Sequence, residues 1–324
     1  MTNVALIGAG GVAQRHAKVL SGLDDVQVVA VADVSEDAAK ALASEYGAAA
    51  YADPETALDE SKPDAVYVCV PPFAHGAAER AVLARALPMF VEKPVGIGLE
   101  DAEAIAELVE KAGVVTGTGY HWRTLDTVQQ ARELLASTTP LLAHGYWLDK
   151  RPPVPWWGHR DKSGGQVIEQ VAHVLDLSRY LLGDPASLTA AGIQTDDVPD
   201  SDIDDATAAL VRFADGPVGT FDATCALRAK HSTGLTIVAP GMHLQIGEES
   251  LIVDSGDGPQ TFTPSVDPRE QVDADFIAAV RGELDQTRAP YSEAVASQRF
   301  AVAISQAAQS GQPVELATLA GSAR

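Results

Sequence analysis

Val4-Ala5-Leu6-Ile7-Gly8-Ala9-Gly10-Gly11-Val12-Ala13 sets an apolar run against a glycine turn and then a helix-forming stretch. Val4–Ile7 reads as a strand and Val12–Leu20 as a helix. The turn between them has the form GxGxxA, and its position gives each small residue a reason. Gly8 permits the tight turn, Gly10 lets the backbone approach a pyrophosphate, and Ala13 allows close helix–strand packing. Gly11, Val12 and Ala13 open the helix, whose first N–H groups and dipole favour an anion. Asp33 ends the next strand, Val26–Ala32, where a carboxylate can accept hydrogen bonds from ribose hydroxyls. The same charge repels a 2′-phosphate, and Val34-Ser35-Glu36 brings no arginine to offset it. NAD is therefore expected over NADP, and Ser35 rather than Asp33 is expected to cap the following helix.

The pattern continues outward from this turn. Ala65–Val70, Met89–Val91 and Val114–Thr118 read as further strands, several of them continuously apolar, which suits a sheet covered on both faces. Glu36–Tyr46, Ala74–Ala86 and Leu99–Lys111 read as the helices between them. Regular alternation means βαβ units and a doubly wound parallel sheet, here a Rossmann domain over residues 1–119. Beyond residue 120 the rhythm changes. A helix at Thr124–Ala136 precedes a strand at Leu141–Leu148 and a loop rich in Pro and Trp, Arg151–Trp157. One helix is expected from Gly165 to Leu182, stopped by Gly183-Asp184-Pro185. Ala208–Phe213, Val218–Cys225, Leu235–Ala239 and His243–Ile246 pattern as an antiparallel meander, and helices at Pro268–Arg281 and Ser292–Ser310 close the chain. The expectation is α/β overall: residues 120–324 form an α+β domain with a large, mostly antiparallel sheet, whose last helix is free to pack back on the Rossmann domain.

Met89-Phe90-Val91-Glu92-Lys93-Pro94 puts Lys93 at the C-terminal end of a strand, the edge where open α/β sheets bind ligands. A lysine there can orient a hydroxyl or stabilise a developing alkoxide. Glu169 and His173 stand i, i+4 on the expected helix, with Asp176 nearly on the same face. A carboxylate beside an imidazole fixes its tautomer and raises its basicity, and oxidation of a secondary alcohol needs such a base. ExxxH at this spacing can also hold a metal, but no third ligand stands nearby, and none is expected.

Taken in order, GxGxxA, Val70-Pro71-Pro72-Phe73-Ala74-His75, Glu92-Lys93-Pro94, Gly119-Tyr120-His121-Trp122-Arg123 and the run Gly164 to Asp176 resemble the glucose–fructose oxidoreductase/inositol dehydrogenase/MocA family over nearly the whole chain. The resemblance implies that Lys93 and His173 face the nicotinamide and the reacting carbinol, with Glu169 completing the site. That position is more often Asp in the family. It also implies that Val70, Pro71, His75 and Glu92 belong to the cofactor's surroundings. Arg123, Trp157 and Asp176 are candidate substrate contacts, Trp157 (with Trp156) as a platform for a sugar ring. The implied reaction is hydride transfer between NAD and a secondary hydroxyl of a sugar, inositol or related polyol. The rivals are an NAD-dependent glycoside hydrolase on the same fold and a non-catalytic NAD-binding regulator.

The bulk composition narrows the partners. Among 324 residues, 23 basic against 45 acidic side chains leave a net charge of −22, which repels phosphate backbones and anionic lipid. Nucleic acid and membrane are thus not expected as partners. No apolar run reaches the ~18 residues of a membrane span, and the N-terminus lacks the pattern of a signal peptide, so the expected location is cytoplasmic. Cys69 and Cys225 lie in strand-like runs and are expected as buried free thiols. A homodimer or homotetramer is implied by the resemblance.

Overall fold

The computed structural model describes residues 1–195 and 200–316. In chain order the elements are β1 (Thr2–Ile7), α1 (Gly11–Leu20), β2 (Val26–Ala32), α2 (Glu36–Tyr46), β3 (Ala49–Tyr51), α3 (Pro54–Ser61), β4 (Ala65–Val68), α4 (Ala77–Leu83), β5 (Met89–Val91), α5 (Glu100–Ala112) and β6 (Thr116–Thr118). There follow α6 (Asp126–Leu135), β7 (Leu142–Leu148), α7 (Arg160–Ser163), α8 (Gln166–Glu169), α9 (Ala172–Leu182), β8 (Pro185–Ile193), β9 (Ala206–Phe213) and β10 (Val218–Thr224). The chain closes with β11 (Ser232–Ala239), β12 (Met242–Ile246), β13 (Leu251–Asp254), β14 (Gln260–Phe262), α10 (Pro268–Val280), α11 (Tyr291–Ser310) and β15 (Val314–Glu315).

They form two compact units, and neither is one continuous stretch. The first comprises Met1–Gly96, Glu100–His121 and Pro268–Val295; the second comprises Ile97–Leu99, Trp122–Asp267 and the chain from Ala296 on. After the short excursion of 97–99 the chain passes to the second unit between His121 and Trp122; the helix that returns to the first unit is α10, whereas the last helix, expected to be free to do so, packs Phe300 to Ile304 on the second sheet.

In the first unit six strands run in the order β3-β2-β1-β4-β5-β6, all pairs parallel. That is the doubly wound arrangement, reversing between β1 and β4. Its core joins Val4, Leu6, Ala13, Ala17, Val31, Tyr67 and Phe90 to Val272, Phe276 and Ile277 of α10. Gly117 of β6 is close to Phe90 and Phe276, with ring carbons 2.9 and 3.1 Å from where a Cβ would stand. Short β3 and helix α3 went unread in the sequence. Only three residues long, β3 has two exposed alanines and little hydrophobic signal, whereas α3 carries a legible start, Asp53 capping Thr56 N–H at 2.8 Å with Pro54 in the first turn.

In the second unit nine strands run β14-β13-β12-β11-β7-β10-β9-β8-β15, antiparallel except for the parallel pair β7–β10. One face is apolar: Ala143, Ala209, Val211, Phe213, Phe221, Leu235 and Ile237 pack with Val174, Leu175 and Leu177 of α9 and Phe300 to Ile304 of α11. The alternate residues of β9 point the other way, leaving Leu210 58% exposed. Gly145 lets α9 lie close on β7: a Cβ there would sit 2.7 Å from Val174 and 2.5 Å from Phe221. Both cysteines are buried and free; burial pushes the Cys69 thiol up and the Cys225 thiol up to about 11. Among the described residues no helix is long and apolar enough to cross a membrane.

Candidate active site

The glycine turn of the first unit is built for close approach. Gly8 has φ +102°, and a Cβ there would lie 2.2 Å from the Cys69 carbonyl oxygen, so the turn is pressed against the end of β4. Gly10 and Gly11 are the opposite case: their Cβ positions meet nothing within 4 Å. Gly10 caps α1 without a side-chain hydrogen bond, and the first turn holds no acidic residue. Exposed N–H groups at a helix start, with open space in front of them, fit a pyrophosphate. Asp33 braces the same turn, its Oδ2 accepting the Ala9 N–H and its Oδ1 the Ser35 N–H, both at 2.8 Å. Ser35 caps α2, as its position suggested. Val34 stands 98% exposed beside the acid, and among the described residues Asp33 has no ion pair, the nearby Lys40 being paired with Glu36.

Lys93 follows β5, so it stands at the same C-terminal edge of the sheet as Asp33 and the glycine turn. Glu92 was expected near the cofactor, but its carboxylate is buried and turned inward. Oε1 accepts hydrogen bonds from Arg15 (2.8 Å) and His16 (2.9 Å), and Oε2 accepts the Lys93 N–H at 3.0 Å. Gly119 is needed here, since its Cβ would stand 2.2 Å from Glu92 Oε2. His16 also bonds Asp273 through Nδ1 at 2.7 Å. Burial alone would lower the His16 pKa, but the Asp273 and Glu92 carboxylates outweigh it and hold the imidazole up to about 9. Glu92 is in turn held far below the usual carboxylate range: burial opposes this, but His16, Arg15 and Lys93 prevail. None of Arg15, His16 and Asp273 was singled out in the sequence, because their link spans 257 positions from His16 to Asp273.

Val70 and Pro71 follow β4 at the same edge, half-buried. The His75 ring is enclosed, with Nδ1 on Glu79 Oε1 at 2.5 Å. Its Nε2 is buried with no hydrogen-bond partner, an atom suited to a ligand. Glu79 also accepts the Gly76 N–H and is held low: burial works against this, but the His75 charge and hydrogen bond prevail.

In the second unit the expected single helix from 165 to 182 is broken. α8 ends at Glu169, α9 begins at Ala172, and the Val171 N–H reaches back to Gln166 O at 3.1 Å. Glu169 and His173 therefore belong to two successive helices rather than to one continuous helix. Glu169 Oε2 accepts the Trp157 indole N–H at 2.9 Å. Trp157 is 1% exposed among Ile203 and Cys225, so it presents no open face for a sugar ring and serves to hold Glu169. Arg123 and Asp176 are likewise turned on each other rather than outward. The guanidinium grips the carboxylate through Nε (2.8 Å) and Nη2 (2.7 Å), and Ser297 Oγ donates to it at 2.7 Å. A pair this buried and bidentate is scaffold for α9.

His173, on the first turn of α9, is 7% exposed. Its ring lies nearly parallel to Trp122 (6.1 Å, 16°) and Trp147 (5.9 Å, 20°). Two indoles thus fix the plane of the candidate base. Trp122 sits inside the Gly119 to Arg123 motif, but Trp147 is one residue of an ordinary apolar strand and carried no signal of its own. Among the described residues no group of three His, Cys, Asp or Glu side chains could hold a metal ion.

A parallel sheet in this strand order, with an uncapped glycine turn at its switch point, defines a dinucleotide-binding oxidoreductase architecture. Comparison with known proteins agrees. Residues 2–120 match the oxidoreductase family with an NAD-binding Rossmann fold, and residues 128–241 match the GFO/IDH/MocA C-terminal domain. The chain belongs to the GFO/IDH/MocA oxidoreductase family. Among its relatives, myo-inositol 2-dehydrogenase of Thermotoga maritima is 26% identical over 224 residues, covering 68% of this chain and 67% of the relative. D-glucoside 3-dehydrogenase of Escherichia coli is 35% identical over 193 residues, covering 56% and 54%. Levoglucosan dehydrogenase in complex with NADH and levoglucosan superposes with a TM-score of 0.87 at 18% identity, covering 97% of this chain and 99% of that one.

Proposed function

We propose that this chain is an NAD-dependent dehydrogenase that interconverts a secondary hydroxyl and a ketone on a sugar, inositol or related polyol. The observation that carries the reading is the convergence, at one edge of the parallel sheet, of the uncapped α1 start, Asp33 and Lys93. When bound, the nicotinamide takes or returns hydride. Asp33 receives the adenosine ribose, with NAD favoured because Val34 beside it brings no charge to meet a 2′-phosphate. The N–H groups of Gly11, Val12 and Ala13 receive the pyrophosphate in the space left by the two glycines. His173 takes the proton from the substrate hydroxyl, its ring plane set by Trp122 and Trp147. Lys93 polarises a substrate hydroxyl from the edge of the parallel sheet, and Glu169 orients one from its seat on Trp157. The exposed face of the nine-stranded sheet, with Leu210 58% and Ile193 60% exposed, suits pairing with a second copy as a homodimer or homotetramer, which the mass in solution tests.

The activity is tested by following NADH absorbance over a panel of polyols and sugars, with NAD and NADP in parallel. Reduction of NAD by one class, lost on the order of 100-fold or more in His173→Ala with nucleotide binding kept, is the expected result. Nucleotide binding without any turnover overturns it.

A further inference from the structure

The end of β7 next to His173 carries a concentration of positive charge that a neutral polyol gives no reason for. The segment joining β10 to β11 arches over the C-terminal end of β7, because those two strands flank it on opposite sides. The arch is tied down at both feet. Leu227 N–H donates to Asp149 O at 3.2 Å, Lys150 bridges Ala226, and His231 N–H donates to Leu148 O at 2.9 Å. Lys150, Arg228 and Lys230 are thereby gathered within a few residues of Trp147, and all three are exposed. Lys230 is the best located, its Nζ 5.5 Å from the Trp147 ring centroid. Trp147 in turn lies 5.9 Å from His173 and nearly parallel to it.

Two features separate these cations from ordinary surface charge. Arg151 and Arg160, from the same stretch of chain, are each neutralised, by Asp205 and Asp204. Among the described residues Lys150, Arg228 and Lys230 have no carboxylate partner, in a chain with 45 acids to 23 bases. Asp149, the acid next to them in sequence, turns Oδ1 to the Lys150 N–H at 2.7 Å. Further, the indole Nε1 of Trp147 is buried and has no acceptor. A buried donor without a partner is unfavourable until an oxygen meets it. A protein of net charge −22 repels anions at long range, so an anionic ligand must be attracted by local cations.

From this arrangement we infer that the substrate is an anionic polyol, a sugar acid or a sugar phosphate. Its charged group is received by Lys150, Arg228 and Lys230, and one of its oxygens by the Trp147 indole N–H. The inference rests on the dehydrogenase reading above and specifies its substrate class.

The test compares three forms of one sugar under NAD: the neutral sugar, its uronate or aldonate, and its phosphate ester, each at low and high salt. The expected result is a kcat/KM at least about ten-fold higher for one of the anions, falling as salt is raised. The carboxylate and phosphate arms tell which anion is taken. Lys230→Met keeps the stem over the indole, and Arg228→Gln removes the second charge. Each is expected to raise KM for the anion roughly ten-fold with kcat nearly kept and KM for a neutral sugar unchanged. Trp147→Phe, which keeps a ring against His173, reports the indole donor. A neutral sugar used as well as its anions, without salt dependence, overturns the inference and leaves the dehydrogenase standing. So does an unchanged KM in the charge variants. Absence of turnover across all three forms and the wider polyol panel, with NAD bound, removes the dehydrogenase reading itself and the inference with it.

Discussion

His16 shows how far one side chain can matter without touching a ligand. It is wholly buried between Glu92 and Asp273, and its pKa is raised from 6.5 to about 9. A raised folded pKa stabilises the protein fully below the unfolded value, and that stabilisation is lost as pH climbs through the folded one. Unfolding free energy should thus fall by about 3 kcal/mol between roughly pH 6.5 and 9 from this group. His16→Ala should remove the slope and cost about 3–5 kcal/mol at neutral pH, because two carboxylates lose their buried partner. Denaturant titrations of both proteins across that range check it. The glycines of the turn separate stability from binding at the same scale. Gly8→Ala meets both a positive φ and the Cys69 carbonyl, so a loss on the order of 3 kcal/mol or more is expected. Gly10→Ala meets nothing within 4 Å, and its φ of −70° suits alanine. Its melting temperature should stay near that of the parent while NAD affinity falls. If Gly10→Ala bound NAD normally, the cradle in front of α1 would not be where the pyrophosphate lies.

At the scale of elements, the legible parts were those that repeat a local rule. The alternation of apolar runs and helical stretches gave the parallel sheet, and the period-two pattern of β9 and β10 gave the second one. What escaped depended on distant partners. The run from Gln166 to Leu182 keeps apolar residues at helical spacing (Val167, Ile168, Val171, Val174, Leu175, Leu182), so its periodicity could not show the break at Gln170 and Val171; hydrogen bonding shows it. Arg123 and Asp176 were candidates through the motifs Gly119 to Arg123 and Gly164 to Asp176, and in the structure they pair with each other. Trp157, expected with Trp156 as a platform for a sugar ring, is buried. The placement of α9 gives a prediction of its own. Gly145→Ala would drive a methyl against Val174 and Phe221, so α9 must move off β7. A loss of about 1–3 kcal/mol is expected, along with a lower kcat, because His173 begins that helix. NAD affinity, held by the other unit, should stay unchanged in a direct binding titration.

At the scale of the whole molecule, the sequence suggested two successive domains and the structure has a first unit that is closed by a distant segment. Arg281 reaches Thr2 Oγ1 and the carbonyls of Asp24 and Asp25 at 2.8–3.0 Å, and Thr287 Oγ1 donates to Thr116 O at 2.7 Å. Phe276 is fully buried against Tyr67 and Phe90. A fragment of residues 1–121 should therefore fail to give a cooperative melting transition or bind NAD. The same fragment joined by a flexible linker to 268–295 should recover both. Equal behaviour of the two fragments would show that α10 is dispensable.

That closing segment also sets an order of events during synthesis. The strands bearing Tyr67 and Phe90 leave the ribosome long before Phe276 and Asp273 exist to cover them. All of Trp122–Asp267 must be made in between, a wait on the order of ten seconds at about 5–20 residues per second. Throughout it that apolar patch is left without its cover, with His16 still lacking one of its two carboxylates. The part of the first unit most distant from the glycine turn in sequence is thus the one that arrives last to complete its core.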